Sequence, residues 1–237
     1  MRPIPLLLLL LVLATSLVAS VVSTRTYSTS FPLTESVLHE NVHWANGANT
    51  GGSWTNVSTT PGRAIGHELK VPYSDATAIL QNNLTWDNDQ SATATVFQVA
   101  GSAKPGCYQE VEIRLRSKLA AYSNTGYEIN FKAVQTSDAY VQIVRWNGPL
   151  GNFTYLTDVR GSQYGVKDGD VVSASIVGTV IKAYKNGVLV AQASDSTFAS
   201  GAPGIGFNLN YGGSGCAGTS PNYGFSKYTA VSSQNWF

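Results

Sequence analysis

The segment Tyr108–Arg116, YQEVEIRLR, alternates between apolar and charged side chains. Side chains two residues apart lie on the same face of a β-strand, whereas a helix brings together residues three or four apart. The alternation therefore predicts a strand with two distinct faces. The inner face would carry Gln109, Val111, Ile113 and Leu115, and the outer face would carry Glu110, Glu112, Arg114 and Arg116.

Similar short runs follow along the chain, including GYEINFKAV at 126–134, AYVQIVRW at 139–146 and PGIGFNLNY at 203–211. Turn signals separate the runs, and Asn186-Gly187 is typical of a two-residue hairpin. A strand about every ten residues, without a long helical period, predicts an all-β fold: a two-sheet antiparallel β-sandwich, or jelly roll. No repeat or linker divides residues 24–237, so we expect one domain.

The period-two pattern also predicts a continuous polar surface if these strands are neighbours. Ile129 and Phe131 would face inward from one strand, and Ile205 and Phe207 from another. The alternate positions would face outward and form a candidate ligand-binding surface. Its residues would be Glu110, Glu112, Arg114, Glu128, Asn130, Gln142, Trp146, Asn208 and Asn210.

The N-terminal residues 1–23 have the pattern of a secretory signal peptide. Arg2 supplies a positive charge, Leu6–Leu13 is an apolar run, and LVASVVS at 17–23 offers small residues for cleavage. The run is too short to span a membrane. We therefore expect a secreted or extracytoplasmic chain without a membrane span after cleavage.

The charge of the chain is low and balanced. Fifteen basic and fourteen acidic residues give a net charge of +1, and charged residues make up 12% of the chain against about 25% in an average soluble domain. Such a surface is not suited to nucleic acid or anionic membranes. The many Ser, Thr, Asn, Gln, Gly and Tyr residues favour a neutral, hydroxyl-rich partner, although exported β-proteins that bind nothing share this composition. The oligomeric state stays open.

Two cysteines, Cys107 and Cys216, are the only ones in the chain. An even pair in an exported protein predicts a disulfide. The chain has no CxxC spacing, so the sequence indicates neither a redox site nor a structural zinc site.

The stretch His39–His43, HENVH, matches the H-E-x-x-H pattern of zinc metalloproteases. That pattern requires a helix, because two histidines four apart on a strand lie about 13 Å apart. The surrounding residues are rich in Ser, Asn and Gly, and no third histidine follows within the next ten positions. We therefore expect surface histidines on a strand or loop, and no zinc site.

Taken together, the runs resemble the concanavalin A-like lectin/glucanase superfamily, and in particular its exported bacterial, laminin-G-like jelly-roll domains. The resemblance rests on YQEVEIRLR, TGYEINF, YVQIVRWNG, PGIGF and the closing YGFSKYTA. It implies a sugar site on the concave sheet, which corresponds to the polar surface defined above. Amides and carboxylates there would bind hydroxyls, and an aromatic ring such as Trp146 would stack on a pyranose. The alternative is a solvated face with cross-strand ion pairs.

The resemblance also raises the question of catalysis. Laminarinase-type glucanases carry E-x-D-x-x-E, whereas Glu110-Val111-Glu112 lacks the third acid, and Arg114 would lower the pKa of a neighbouring carboxyl. Lyases of this fold pair Tyr with His, but all three histidines precede residue 68. The sequence thus favours a lectin-like or adhesion module that recognises neutral polysaccharide. A glycoside hydrolase or polysaccharide lyase using Glu110, Glu112 and Glu128 is the alternative, and a purely structural envelope protein is the third class.

No cofactor is indicated by the sequence, apart from one candidate calcium site. Asp87 and Asp89 in TWDNDQS offer oxygen ligands in a loop, as hard cations require. The same composition is also typical of ordinary Asx-turns.

Overall fold

The computed structural model describes residues 23–51, 54–67, 74–209, 216 and 220–234. The predicted signal peptide, except Ser23, and the predicted site residue Asn210 lie outside the described residues. In the described part, no helix is long and apolar enough to cross a membrane.

Sixteen strands and three short 3₁₀ helices make up the described structure. The strands are β1 (Ser23–Thr29), β2 (Ala45–Asn46), β3 (Trp54–Thr55), β4 (Val57–Thr60), β5 (Arg63–Gly66), β6 (Ser74–Ile79), β7 (Asp89–Gln98), β8 (Gln109–Ala120), β9 (Ser123–Lys132), β10 (Tyr140–Gly148), β11 (Phe153–Arg160), β12 (Val171–Val177), β13 (Val180–Lys185), β14 (Val188–Ser194), β15 (Ala202–Leu209) and β16 (Tyr223–Gln234). The 3₁₀ helices are Gly47–Thr50, Ser162–Tyr164 and Ser220–Asn222.

The strands form two sheets of eight strands each. The back sheet has the order β14-β13-β12-β7-β16-β5-β4, with β1 on β16, and the front sheet has the order β11-β10-β9-β8-β15-β6-β2, with β3 on β6. All pairs except β3 with β6 are antiparallel. The prediction of a two-sheet antiparallel sandwich is confirmed.

The core lies between the two sheets, and β8 is near the middle of the front sheet. Ile113 pairs with Ile129 on one side and with Ile205 on the other, and all three side chains are fully buried. The neighbouring row, Val111 with Phe131 and Phe207, is buried in the same way. The inner faces predicted from the alternation are therefore confirmed, and burial of these rows is the main source of the fold's stability.

The predicted disulfide between Cys107 and Cys216 is present, with an S–S distance of 2.01 Å and a Cα–Cα distance of 5.6 Å. It joins the segment that enters β8 to the segment that follows β15. These two neighbouring strands are thus fixed together at the same end of the front sheet.

The HENVH segment forms a tight turn. Residues 40–42 have positive φ values of 37, 60 and 62°, and the His43 N–H donates to the His39 carbonyl at 3.0 Å. Glu40 is buried and accepts hydrogen bonds from Thr29 at 2.5 Å and from the Trp44 indole at 3.2 Å. Among the described residues, no histidine belongs to a group of close metal-ligating side chains. The segment is a loop, as expected.

A β-bulge interrupts β8 between Leu115 and Lys118. Arg116 lies in the bulge with a φ of 47°, a left-handed conformation that is rare for a residue with a side chain. An extra residue in a strand breaks the alternation of faces. Arg116 therefore does not share the outer face with Arg114, as the alternation predicted, and its guanidinium lies 3.5 Å from Asp89 at the end of the sandwich.

Candidate functional site

Two tryptophans cover the centre of the front sheet's outer face. Trp54 on β3 and Trp146 on β10 make an edge-to-face contact with ring centroids 4.6 Å apart, and Trp146 is only 2% exposed. The Arg114 guanidinium lies 5.5 Å from the centre of the Trp54 ring. The prediction of an open face is therefore wrong at Glu112 and Arg114, which are buried. Trp146 is not an exposed stacking plate, because it packs against its neighbours.

Beneath these rings, Arg114 contacts three carboxylates through one guanidinium nitrogen. Its Nη2 lies 2.6 Å from Asp75, 2.8 Å from Glu112 and 2.5 Å from Glu128. These four residues, called the Arg114 cluster, come from β6, β8 and β9. Gly206 on β15 provides the space, because a Cβ at this position would overlap Glu112 Oε2 and crowd the Arg114 side chain.

Burial dominates the protonation of the Arg114 cluster. It raises the pKa of Asp75 and of Glu112 well above their usual values, and the nearby carboxylates raise both further. Arg114 lowers both pKa values by less than burial raises them. Arg114 does lower the pKa of its neighbouring carboxyls, as expected, but desolvation outweighs this one charge contact and the net pKa of both Asp75 and Glu112 is raised.

The three carboxylates of the Arg114 cluster also have the spacing of a metal site. One oxygen from each lies within 4.8 Å of the others. However, Arg114 Nη2 contacts all three, so the guanidinium supplies the positive charge at the point where an ion would bind. The residues present therefore do not fit a metal ion while Arg114 is in place.

Next to the tryptophans, the outer face opens into a pocket of about 270 Å³, called the front pocket. This volume is at the small end of ligand sites, which span about 300–1,000 Å³. Its polar lining residues are Glu110, Glu128, Asn130, Gln142, Arg160 and Asn208. Its aromatic lining residues are Tyr108, Tyr140, Trp146, Phe153 and Tyr155, and Val144 completes the wall.

Two residues that line the front pocket have a buried amide oxygen without a hydrogen-bond partner. Asn130 Oδ1 and Asn208 Oδ1 are buried, in residues that are only 5% and 9% exposed, and no described group donates to them. An unpaired buried acceptor costs about 1–3 kcal/mol. Such a cost is expected where a ligand supplies the missing donor.

Glu110 lies at the base of the front pocket and accepts a hydrogen bond from the Tyr140 hydroxyl. Burial raises the pKa of Glu110 to about 7, although hydrogen bonds from Tyr140 and Asn208 oppose the change. Near neutral pH the side chain is therefore both a donor and an acceptor, in contrast to an ordinary carboxylate, which only accepts.

The front pocket contains most of the predicted ligand-binding residues. Glu110, Glu128, Asn130, Gln142, Trp146 and Asn208 line it. Glu112 and Arg114 are not among its lining residues, and both are fully buried beneath the tryptophans. The alternative of cross-strand ion pairs on a solvated face is met only in part: Glu128 and Arg114 form such a pair, but it is buried and not solvated.

Several pocket residues were missed from the sequence, and some had a signal. Tyr108 and Tyr140 are in phase with Glu110 and Gln142, so the alternation alone places them on the outer face. Phe153 and Tyr155 lie opposite Trp146 and Val144 on β11, in a register that only the structure reveals. Tyr108 and Tyr155 are 47% and 54% exposed and provide the aromatic rim that was expected of Trp146.

The candidate calcium residues lie elsewhere, at the end of the back sheet. Asp89 accepts a hydrogen bond from the Gly178 N–H at 2.9 Å and faces Arg116, while Asp87 accepts one from Ser232 at 3.3 Å. The nearby guanidinium disfavours a second cation. Calcium binding here stays a prediction.

The raised pKa values predict that the protein is more stable at pH 5 than at pH 8. A carboxyl with a pKa raised by folding contributes stability below its unfolded pKa, and this contribution is lost as the pH rises through its folded pKa. For Glu110, a shift from 4.5 to about 7 corresponds to about 3 kcal/mol. Asp75 and Glu112 act in the same direction. The urea concentration at which half of the protein is unfolded should therefore be lower at pH 8 than at pH 5.

Two variants test whether Glu110 contributes to this pH dependence of stability. Glu110→Gln, which stays neutral, should reduce the difference between the two midpoints. Asp158→Asn, at an exposed position, should leave the difference unchanged. A midpoint that is constant or that rises toward pH 8 would contradict the assignment.

No protein-family model matches the sequence, and no curated protein matches it. The structure, however, is similar to solved structures across most of the chain. The carbohydrate binding module CBM66 from Bacillus subtilis has 14% identity and a TM-score of 0.50, with 83% of this chain and 96% of that chain covered. The carbohydrate recognition domain of Emp46p, in its metal-free form, has 11% identity and a TM-score of 0.52, with 87% and 95% covered.

An enzyme shares the same architecture. The kappa-carrageenase from Pseudoalteromonas carrageenovora, solved with an oligotetrasaccharide of kappa-carrageenan, has 9% identity and a TM-score of 0.54, with 94% of this chain and 100% of that chain covered. Similarity at this level of identity shows the fold and not the activity. The chain thus has the jelly-roll fold of the concanavalin A-like lectins and glucanases.

Proposed function

We propose that the chain is an exported carbohydrate-binding protein that holds a short segment of neutral glycan in the front pocket. The observation that carries this proposal is the pair of unpaired, buried acceptors, Asn130 Oδ1 and Asn208 Oδ1. Sugar hydroxyls are donors that would satisfy both atoms. Water would also donate to them, so the remaining features of the pocket decide the class of ligand.

The aromatic rim favours a sugar. Tyr108 and Tyr155 present half-exposed rings at the pocket, and Phe153 supports Tyr155 by an edge-to-face contact with centroids 5.2 Å apart. Flat apolar rings beside amides match the apolar face and the hydroxyl edge of a pyranose. The Tyr140 hydroxyl already donates to Glu110, so this pocket residue needs little ordering when a ligand enters.

The charges of the pocket favour a neutral glycan over an anionic one. Arg160 at the pocket is paired with Asp158 at 2.7 Å, and Arg114 is enclosed by three carboxylates. Neither guanidinium is left to balance a sulfate or uronate. Export belongs to the same proposal and is supported by the disulfide and by the signal-peptide pattern of residues 1–23.

Retention on a glycan array followed by calorimetry tests this function. We expect the wild-type protein to bind a neutral oligosaccharide, and the Tyr108→Ala/Tyr155→Ala variant to bind it about 5- to 150-fold more weakly, since each stacked ring contributes about 0.5–1.5 kcal/mol. Tyr122→Ala is the matched control, because Tyr122 is 69% exposed on the β8–β9 turn and outside the pocket. Equal affinity in the double variant and the wild type would contradict the proposal.

Cleavage of the glycan is the second candidate function. Glu110, with its pKa raised to about 7, has the protonation expected of a general acid, and Glu128 lines the same pocket. Glu112 is not among the residues that line the pocket, so the three carboxylates considered from the sequence reduce to Glu110 and Glu128. Release of reducing ends that disappears in Glu110→Gln would establish a hydrolase. Binding without release in the wild type would exclude it for the glycan tested.

A further inference from the structure

A second concave site lies at the other end of β8 from the front pocket. This cleft, called the Arg116 cleft, has a volume of about 680 Å³, well within the range of small-molecule sites. It lies where the end of the back sheet meets the bulge of the front sheet. The residues that matter here are Trp86, Asp87, Asp89, Arg116, Thr179 and Ser196.

The bulge that delivers Arg116 to this cleft is supported from both sides. The neighbouring strand β9 has Gly126 beside the bulge, and Gly201 precedes β15; a Cβ at either glycine would overlap the backbone of residues 116 and 117. The side chain of Gln90 accepts a hydrogen bond from the Arg116 N–H at 2.8 Å. Arg116, in a left-handed conformation that is rare for a residue with a side chain, is therefore supported by Gln90, Gly126 and Gly201, and such strain is concentrated at functional sites.

The Arg116 guanidinium is fixed in place. Its Nε donates to the Asn88 carbonyl at 2.6 Å, its Nη1 donates to the Phe198 carbonyl at 3.2 Å, and its Nη2 lies 3.5 Å from Asp89. Arginine has five N–H donors, so these contacts leave donors for a ligand. Because the side chain is already ordered, binding would cost little conformational entropy.

The composition of the cleft selects among ligand classes. Asp87 and Asp89 disfavour an anion, and Arg116 disfavours a metal ion at Asp89. Acceptors and donors side by side match the neighbouring hydroxyls of a sugar, and the exposed hydroxyls of Thr179 and Ser196 add to them. Trp86 provides an aromatic surface whose indole nitrogen is anchored to the Leu80 carbonyl at 2.7 Å.

We propose that the Arg116 cleft is a second binding site for a neutral, hydroxyl-rich ligand, namely a glycan segment. Six residues of strand separate Glu110 in the front pocket from Arg116, or about 20 Å. The two sites also share no lining residue. The proposal for the Arg116 cleft therefore does not depend on binding in the front pocket.

The indole N–H signal of Trp86 in a two-dimensional ¹H–¹⁵N NMR spectrum reports on the cleft. The probes are neutral gluco-, manno- and galacto-configured tetrasaccharides, added to the wild-type protein at millimolar concentration. We expect at least one to move the Trp86 signal. The movement should persist in Tyr108→Ala/Tyr155→Ala, which would show that it does not arise from the front pocket.

Two single substitutions on the same loop complete the test. Ser196→Trp fills the cleft and should weaken the response at least about tenfold in affinity, whereas Ser200→Trp, exposed and outside the cleft lining, should leave it unchanged. These positions are preferable to Arg116, whose replacement would disturb the bulge. A Trp86 signal that no tetrasaccharide moves, that moves equally in Ser196→Trp, or that responds only to calcium chloride would overturn the proposal. Movement of the Trp146 signal alone would overturn it while supporting the front pocket.

Discussion

Replacing Arg114 by methionine is expected to lower the free energy of unfolding by about 3–5 kcal/mol, because removing one partner of a buried ion cluster leaves the others uncompensated. Three carboxylates from β6, β8 and β9 lie within 2.8 Å of Arg114 Nη2, beneath Trp54 and Trp146. Without the guanidinium, these carboxyls would have to be protonated to stay buried. The loss should therefore be larger at pH 8 than at pH 5, and urea denaturation at both pH values measures it.

Two further variants separate the charge from the packing. Arg160→Met removes an exposed arginine from the same sheet, and we expect a change of at most about 1 kcal/mol, as for other surface ion pairs. Glu112→Gln keeps the shape of a side chain whose pKa is already raised, so it should change stability little at pH 5. An Arg114→Met protein as stable as Arg160→Met would show that the cluster does not depend on its arginine.

Removing the disulfide is expected to have the second largest effect. The bond between Cys107 and Cys216 closes a loop with a sequence separation of 109 residues. In the chain-entropy description, losing a cross-link over such a loop costs about 2–5 kcal/mol. The Cys107→Ser/Cys216→Ser variant should unfold at a correspondingly lower urea concentration.

A reducing agent supplies the control for the disulfide. It should lower the midpoint of the wild-type protein to that of the double-serine variant, and it should leave the variant unchanged, because the chain has no other cysteine. A variant within about 0.5 kcal/mol of the wild type, the usual range for surface substitutions, would show that the bond does not stabilise the fold.

The fold could be predicted from the sequence because its signal is local. Alternation in YQEVEIRLR and GYEINFKAV assigns the inner faces, and the structure buries Val111, Ile113, Ile129 and Phe131 as expected. The alternation of apolar and polar residues is present within each strand, so it can be recognised without knowing which strands pair. The disulfide followed from composition in the same way.

The exposure of the site could not be predicted, because it depends on contacts between distant segments. Trp54 reaches the front sheet through a two-residue strand parallel to β6, which leaves no periodic signal. The bulge at Arg116 could not be predicted from the sequence either, because its supporting glycines, Gly126 and Gly201, belong to other segments of the chain. Alternation therefore identified the right face but could not show that its centre is covered.

The protonation of the carboxyls in the Arg114 cluster also could not be predicted from the sequence. Arg114 next to Glu112 suggests a lowered carboxyl pKa when only the charges are counted. The outcome is reversed because the cluster is fully buried and contains more carboxyls than cations. Burial is a property of the assembled sheets and their covering tryptophans, and no single strand encodes it.

The most direct measurement of the central claim is the indole N–H signal of Trp146 during titration with a neutral oligosaccharide. This N–H donates to Glu128 at 2.6 Å in the wall of the front pocket, whereas the buried Trp44 indole, bonded to Glu40, serves as the internal reference. We predict that the Trp146 signal moves in proportion to bound glycan while the Trp44 signal stays in place, and that Tyr108→Ala/Tyr155→Ala reduces the movement at the same glycan concentration. A Trp146 signal that stays fixed while calorimetry records binding would contradict the assignment of the glycan to this pocket.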